Sequence, residues 1–509
     1  MHGGEKSDLA IVAGKLPNRA GHPAAEAVEP RVGAKGNVEQ RNTCRTQRRE
    51  NVLQSLGRIR EAAKRDKQVR FTALLHHITP ELLEWAFYNL KKAAAPGVDG
   101  VTWDQYEIGL PDKLADLHGR VQRGAYRAQP SRRQYIPKSD GRLRPLGVAA
   151  LEDKIVQRAL VAVLNAIYET DFIGFSYGFR PGRSQHDALD ALAVGLDRQK
   201  VGWVLDADIK AFFDTISHKW LMCFLEHRIG DRRILRLIGK WLKAGVLEDD
   251  VWTEGTVGTP QGAVISPLLA NVYLHYVYDL WVQQWRKRHA RGDVIVVRYA
   301  DDTIVGFQLE EDARRFLDAL RERLAAYALS LHPEKTRLIA FGRLAQASQR
   351  QRGLGRPETF DFLGFTHVCA ESRDGRFQLR RQSMRKRMRA KLAEIKEELR
   401  RRRHLRIADQ GQWMRSVVAG YFAYHAVPTN GRSISAFRYH VAQAWLKSLR
   451  RRSQRHNMPW DRMNRVIDAW IPRAVVRHPW PSQRFDVKHP RQEPSALAAQ
   501  ARICAGGAG

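Results

Sequence analysis

The sequence predicts an α+β protein: a small antiparallel sheet followed by a helical, strongly cationic region. Three observations carry this. Val294 to Phe307 reads as two apolar strands around a polar turn, which is a hairpin. Trp203 to Ile209 reads as a buried strand ending in acid. After Gly364 the composition shifts. Arg380 to Arg406 is dense in Arg and Lys, yet Met384, Met388, Leu392, Ile395 and Leu399 keep helical spacing, so one apolar stripe runs between cationic flanks.

The remaining elements follow along the chain. Residues 1–50 are rich in Gly, Ala, Pro and charge, lack an apolar period, and read as a mobile basic leader. From Val52 to Leu90 the pattern is helical, with Leu53, Leu56 and Ile59 and then Leu82, Leu83, Phe87 and Leu90 at helical spacing. Pro96 to Gly100 is a turn. An amphipathic helix covers Glu152 to Tyr168, with Ile155, Leu160, Val163, Leu164 and Ile167 on one side. A second cationic helix spans Phe437 to Leu449, followed by Arg450, Arg451, Arg452 and Arg455. The tail from Pro479 is rich in Pro, Arg and Gly and reads as irregular, and no fixed-period repeat is visible.

The chain has 509 residues and is 43% hydrophobic, which excludes wholesale disorder. At about 100–200 residues per domain, the length suits roughly three. Lys and Arg number 86 against 54 Asp and Glu, a net charge of +32. A surplus this large repels itself unless a polyanion neutralises it, and nucleic acid is the usual partner. Cys44, Cys223, Cys369 and Cys504 lie far apart, which excludes a Cys-x-x-Cys metal pair and a dense disulfide frame. Reduced thiols in a cytosolic protein are expected. The N-terminus lacks the apolar stretch of a signal peptide. No run of about 18 apolar residues appears. The best candidate, Ala263 to Tyr278, is broken by Ser266, Pro267, Asn271 and His275, so no membrane partner is expected.

The sharpest chemical feature is Arg298-Tyr299-Ala300-Asp301-Asp302. Adjacent aspartates between buried strands place like charges at the mouth of a core, which costs energy unless a cation compensates. Hard divalent ions such as Mg²⁺ bind carboxylate oxygens. Leu205-Asp206-Ala207-Asp208-Ile209 is a second acidic strand end. If that strand lies beside the hairpin, Asp208 faces Asp301. Three carboxylates then hold two metals about 3.5–4 Å apart, as in-line phosphoryl transfer requires. Singly, an Asp-Asp turn is common, and Asp208 also fits a helix N-cap. It is the conjunction that points to a metal site.

These residues resemble reverse transcriptases, specifically the reverse transcriptase/maturase proteins of bacterial group II introns. Tyr299-Ala300-Asp301-Asp302 matches that family's YADD box, and an ordered series of blocks matches it from about residue 71 to 500. Ala95 to Gly100 resembles the first block, Ile136-Pro137-Lys138 through Arg144-Pro145-Leu146 the fingers block, and Tyr177 to Ser184 the next. The Asp208 box follows, then Thr259-Pro260-Gln261-Gly262 with Ser266-Pro267-Leu268-Leu269-Ala270-Asn271. Glu334-Lys335-Thr336 and Phe362 to Phe365 close the polymerase part.

The resemblance implies a right-hand polymerase, fingers and palm with an antiparallel palm sheet, followed by an α-helical thumb or maturase domain. It implies Asp208, Asp301 and Asp302 as ligands of two Mg²⁺ ions, with the Ile209 carbonyl adding a contact. Lys138 and Arg144 would reach the triphosphate, as cations do phosphate oxygens. Phe213 resembles the bulky residue that excludes a 2′-hydroxyl and favours dNTPs, whereas Phe212 reads as core. Gln261 and Gly262 look like the loop contacting template and nucleotide, Tyr299 of the matched box is expected to bind the nucleotide too, and Lys335 resembles a lysine near the phosphates.

Cationic helices suit a duplex backbone or a structured RNA. The residues read this way are Arg380, Arg381, Arg385, Lys386, Arg387, Arg400, Arg401, Arg402, Arg403, Arg450, Arg451 and Arg452. Gly420-Tyr421-Phe422-Ala423-Tyr424 departs somewhat from the family's usual aromatic patch.

The implied domains are a leader at 1–50, fingers at 51–200, palm at 201–372, thumb at 373–475 and a basic C-terminal extension at 476–509 without an endonuclease. The implied partners are group II intron RNA, an RNA template/DNA primer hybrid, target DNA and dNTPs, in a bacterial cytoplasm and nucleoid-associated through nucleic acid. A retron- or defence-type enzyme shares the palm. Thr259 to Gly262, Ser266-Pro267 and the long basic thumb favour the intron family. A splicing factor with a decayed polymerase predicts a lost metal ligand, yet all three aspartates are present. A viral RNA-dependent RNA polymerase is disfavoured by Tyr299 to Asp302 and by Phe213.

Overall fold

The computed structural model describes residues 36–137, 143–248, 251–452 and 458–488. Among them run eleven strands in chain order: β1 (Ser131–Pro137), β2 (Leu143–Val148), β3 (Trp203–Asp208), β4 (Val246–Glu248), β5 (Val251–Thr253), β6 (Val294–Tyr299), β7 (Asp302–Phe307), β8 (Arg337–Ala340), β9 (Phe360–Phe362), β10 (Phe365–Glu371) and β11 (Phe377–Ser383). Helices connect and cover them, giving the mixed α and β composition the sequence predicts.

The central sheet has the order β6-β7-β3-β8 and is antiparallel throughout. β6 and β7 are mainly apolar runs because both their faces are covered, whereas β8, at the sheet's edge, is only partly buried. Successive side chains on a strand point to opposite faces. Leu205, Val296 and Val305 join one core with the helices Leu151–Asp171 and Ser266–Leu274. Val204, Ile295, Val297 and Ile304 join a second core with the helix Gln185–Arg198 and the sheet β11-β10-β9. A one-residue slip would exchange the two sets, so the register is strongly specified. A further sheet, β2-β1-β4-β5, pairs β1 antiparallel to β2 and parallel to β4.

A third core lies among the helices Arg385–Arg401, Ile407–His425, Gly431–Arg450 and Trp460–Trp470. Trp445 is its fully buried centre, and its indole N–H donates to Gln410 Oε1 at 2.8 Å. Tyr421 stacks on Phe437 at 3.6 Å between centroids, and the Tyr424 hydroxyl donates to the Leu363 carbonyl at 2.7 Å. The aromatic patch at 420–424 thus ties this helical region to the β9–β10 turn.

Three elements differ from the sequence expectation. The first helix spans Gly36–Arg65 and begins inside the stretch read as leader. Its Glu, Gln and Arg residues favour helix without leaving an apolar period. The stretch Arg380 to Arg406 is not one helix. Arg380 and Arg381 lie on β11, where Leu379, Arg381 and Ser383 are buried in alternation, and the helix starts at Arg385. The tail also holds a helix, Pro481–Lys488, with Pro at its first position and Phe485 buried in the second core.

That last helix is held by charge. Asp190 of the helix Gln185–Arg198 accepts from Arg381 at 2.9 Å and pairs with Arg484 at 2.6 Å. Lys488 pairs with Asp187 and Asp486 with Arg198, at 2.6 and 2.9 Å. Among the described residues Cys223 and Cys369 are free thiols, and no helix is long and apolar enough to cross a membrane.

Candidate active site

Antiparallel register sets Asp208 of β3 opposite Asp302 of β7, and Asp302 opposite Tyr299 of β6. Directly opposed residues share a face. Tyr299, Asp302 and Asp208 therefore form one row across the central sheet. Asp301 sits in the two-residue turn with Ala300. This differs from the expected pairing of Asp208 with Asp301. The tight turn takes both its residues out of the ladder, so the first partner available to Asp208 is Asp302.

The turn is strained. A two-residue hairpin of primed type requires a positive φ at its first position, and here Ala300 carries it, at φ 56°. Gly178 packs against this turn so closely that a methyl group there would stand 2.2 Å from the Ala300 nitrogen. The Tyr177-Gly178 block needs its glycine because the Ala300-Asp301 turn occupies that space.

Asp208 and Asp302 are 7% and 2% exposed, so their charges need compensation. The Lys335 ammonium supplies part of it, 3.0 Å from Asp208 Oδ2. Asp208 is also fixed by its backbone, since its carbonyl accepts from His332 N at 2.7 Å. Ile209 follows in an antiparallel bridge to Leu331. The donor set is all oxygen, which fits a hard divalent cation, and Lys335 stands beside Asp208 as the cation present. Among the described residues no three His, Cys, Asp or Glu side chains are grouped to hold a metal ion. Asp208 and Asp302 are aligned in register, and Asp301 stands outside the ladder in the adjoining turn.

Phe213 lies in the short helix Phe212–Thr215, after Ala211 in the left-handed region at φ 47°. Its ring meets Phe179 edge-on, 6.4 Å between centroids, while Phe212 is buried as core. The loop carrying Gln261 is bonded to the same short helix. Thr259 N donates to the Phe213 carbonyl at 2.7 Å, and Gln261 Nε2 lies 3.3 Å from both Asp214 oxygens. The same loop grips β2, where Gly147 N donates to the Gln261 carbonyl at 2.6 Å. Gly262, at φ 108°, has no room for a side chain, since a methyl group would meet the Gly147 carbonyl at 2.9 Å. Phe213, Gln261 and Gly262 are thus brought together beside β2, which carries Arg144. Lys138 lies outside the described residues.

The residues read as RNA-binding divide. Arg381 is 2% exposed and bonded to Asp190, so it is a structural cation and does not face a polyanion. Arg380 donates to the Glu371 carbonyl. Arg385 and Lys386 are exposed in the first turn of their helix, and Arg387 is half-buried. Arg400, Arg401 and Arg402 pair with Glu397 or Glu398. Arg452 donates to the Leu405 carbonyl and Arg450 to the Met458 carbonyl.

A groove of about 540 Å³ between the helices Arg385–Arg401 and Gly431–Arg450 gathers Arg389, Lys396, Arg400, Arg403, Lys447 and Arg451. Arg389, Lys396 and Lys447 were not among the sequence candidates. Their spacing on two separate helices would have revealed a shared groove only once the helices were paired.

Residues 136–367 match the family described as reverse transcriptase (RNA-dependent DNA polymerase). The chain is 36% identical over 313 residues to Protein YkfC of Escherichia coli strain K12, covering 54% of this chain and 81% of that protein. The chain belongs to the reverse transcriptase family. It is also 35% identical over 238 residues to the group II intron-encoded protein LtrA of Lactococcus lactis subsp. cremoris, covering 46% of this chain and 39% of LtrA. Over 208 residues it is 33% identical to the putative COX1/OXI3 intron 2 protein of Saccharomyces cerevisiae, covering 40% of this chain and 24% of that protein. The match spans about two fifths of LtrA and a quarter of the yeast protein. As a reverse transcriptase, the chain carries Asp208, Asp301 and Asp302 inside the matched segment.

Proposed function

We propose that this reverse transcriptase copies RNA into DNA by two-metal nucleotidyl transfer, and that it also binds its own group II intron RNA to assist splicing and mobility. The observation that carries the polymerase reading is the row of Asp208 and Asp302 in register, with Asp301 at the tip of the adjoining turn. Mg²⁺ held there would lower the pKa of the primer 3′-hydroxyl and offset the charge of the leaving pyrophosphate. Asp208, Asp301, Asp302 and the Ile209 carbonyl would hold it. Lys335 passes from Asp208 to the triphosphate oxygens as the nucleotide enters. Arg144 and Lys138 bind the same phosphates, Gln261 and Gly262 present the loop against which the nucleotide lies, and Phe213 closes the space a 2′-hydroxyl would need.

In this reading residues 51–200 are fingers, 201–372 palm, 373–475 thumb and 476–509 a basic extension, within a right-hand polymerase. The cationic groove on the thumb follows a phosphate backbone. The maturase role is supported by the likeness to a protein whose name places it in a group II intron. Splicing chemistry would remain with the ribozyme. Asp301→Ala tests the separation: primer extension on an RNA template should vanish while binding to intron RNA persists. Equal loss of both in a folded variant would sink the two-task reading.

A further inference from the structure

Arg298 precedes the catalytic turn, and its side chain is 1% exposed. It sits on the face of β6 opposite Tyr299, so it cannot touch a nucleotide lying over the carboxylate row. A buried guanidinium is costly unless its donors are met. Here they are met from four directions. Nε and Nη2 donate to the two Asp279 oxygens at 2.7 and 2.6 Å. Nη1 donates to Asn271 Oδ1 at 3.2 Å and to the Ala300 carbonyl at 2.9 Å. Nη2 donates to Ser176 Oγ at 2.7 Å.

Each partner belongs to a different piece of the site. Ala300 is the strained turn residue. Asn271 lies in the helix Ser266–Leu274, and its Nδ2 donates in turn to the Gly178 carbonyl at 2.8 Å. Gly178 is the residue packed against Ala300. Ser176 opens the same loop, whose backbone pairs with Arg298 through Arg298 N to Phe175 O and Tyr177 N to Arg298 O, at 2.9 and 2.8 Å. Asp279 ends a π-helical turn, His275–Asp279, in the continuation of the Asn271 helix. Such π turns are rare and cluster at functional sites.

We propose that Arg298 is a positioning residue: it holds the Ala300 carbonyl, and so the left-handed turn, in the one geometry that aims Asp301 and Asp302 at the metals. The physical need is plain. An alanine at φ 56° is unfavourable by itself and persists only where its surroundings over-determine it. A planar fork that takes Asp279 on one edge and the turn carbonyl on another does this, whereas a lysine cannot, because its ammonium has no fixed fork. The clamp also sets the turn against the Ser176–Gly178 loop and the Asn271 helix, so the three blocks move as one. The inference rests on the two-metal reading.

Arg298→Lys keeps the charge beside Asp279 and loses the fork. Mn²⁺ binding, read by electron paramagnetic resonance without substrate, should weaken about 10-fold or more, as loss of an outer partner of metal ligands does. Primer extension should lose about 100-fold in kcat with KM for dNTP near the wild-type value, as a misplacement of about 1 Å does. Asp301→Ala separates the failures: if it leaves Mn²⁺ binding and extension intact, the two-metal reading itself falls. If it abolishes both while folded Arg298→Lys keeps both within two-fold, the positioning role falls. Should Arg298→Lys not fold, Ser176→Ala decides. It removes one neutral bond to the fork and should lower kcat and Mn²⁺ affinity several-fold in a variant that still folds, with only a modest fall in melting temperature. Wild-type values there would overturn the clamp.

Discussion

Arg381→Ala separates a structural cation from a polyanion-binding one. Arg381 belongs to the cationic stretch that reads as RNA-binding, yet it is 2% exposed and donates to Asp190, itself 1% exposed. Removing one partner of a buried pair strands the other charge, at a cost of about 3–5 kcal/mol. Asp190 keeps Arg484 at 2.6 Å, which places the expected loss near the lower end, about 3 kcal/mol, or roughly 100-fold in the opening equilibrium. Hydrogen exchange reads this locally. Amides of β11 and of the helix Gln185–Arg198 should exchange about 100-fold faster, while the salt dependence of RNA binding stays unchanged. The paired substitution Arg400→Ala with Arg403→Ala should do the reverse. It should leave exchange intact and flatten the slope of log K against log salt by about 0.7–0.9 for each phosphate that is no longer neutralised. A stable Arg381→Ala protein with a flattened salt slope would refute the assignment.

Further outcomes follow from the site and its surroundings. Phe213→Val opens the space beside Phe179 and should reduce dNTP over NTP discrimination by about tenfold or more in single-nucleotide incorporation; unchanged discrimination removes the gate. His186 lies between His478 and Tyr424, and burial, then His478 and Arg484, hold its imidazole down to about 2. Because the folded value is depressed below 6.5, the stability it contributes is full above 6.5 and falls as pH drops toward about 2. Both its ring nitrogens lack a hydrogen-bond partner, so His186→Phe loses none. It should flatten the acid limb of unfolding free energy by about 1.4 kcal/mol per pH unit below 6.5, and an unchanged limb would assign acid lability elsewhere.

The sheet and its acidic ends were legible because they rest on local pattern. Val294 to Val297 and Ile304 to Phe307 are apolar runs broken by Asp301-Asp302, which no buried strand tolerates without a purpose. The pairing partner was not legible: a two-residue turn puts Asp302 rather than Asp301 opposite Asp208, and turn length shows only once the ladder forms. Arg381 was misread for a related reason. Its partner Asp190 lies 191 residues away, so neither spacing nor composition separates it from its exposed neighbours. Arg298 is the same case beside the acidic turn, with partners from Ser176 to Ala300 that only the folded chain assembles. The helix before residue 50 escaped because its polar residues favour helix without an apolar period.

The most direct test of the account is extension of a DNA primer on an RNA template by the full chain, with dNTPs and Mg²⁺, compared with Asp208→Asn. That variant keeps the shape of the β3 end and removes the charge facing Lys335 and Asp302. The account predicts extension by the wild-type chain and a loss of at least about 1,000-fold in the variant, both binding the hybrid alike. Extension by Asp208→Asn at the wild-type rate, or none by the wild-type chain, would contradict it.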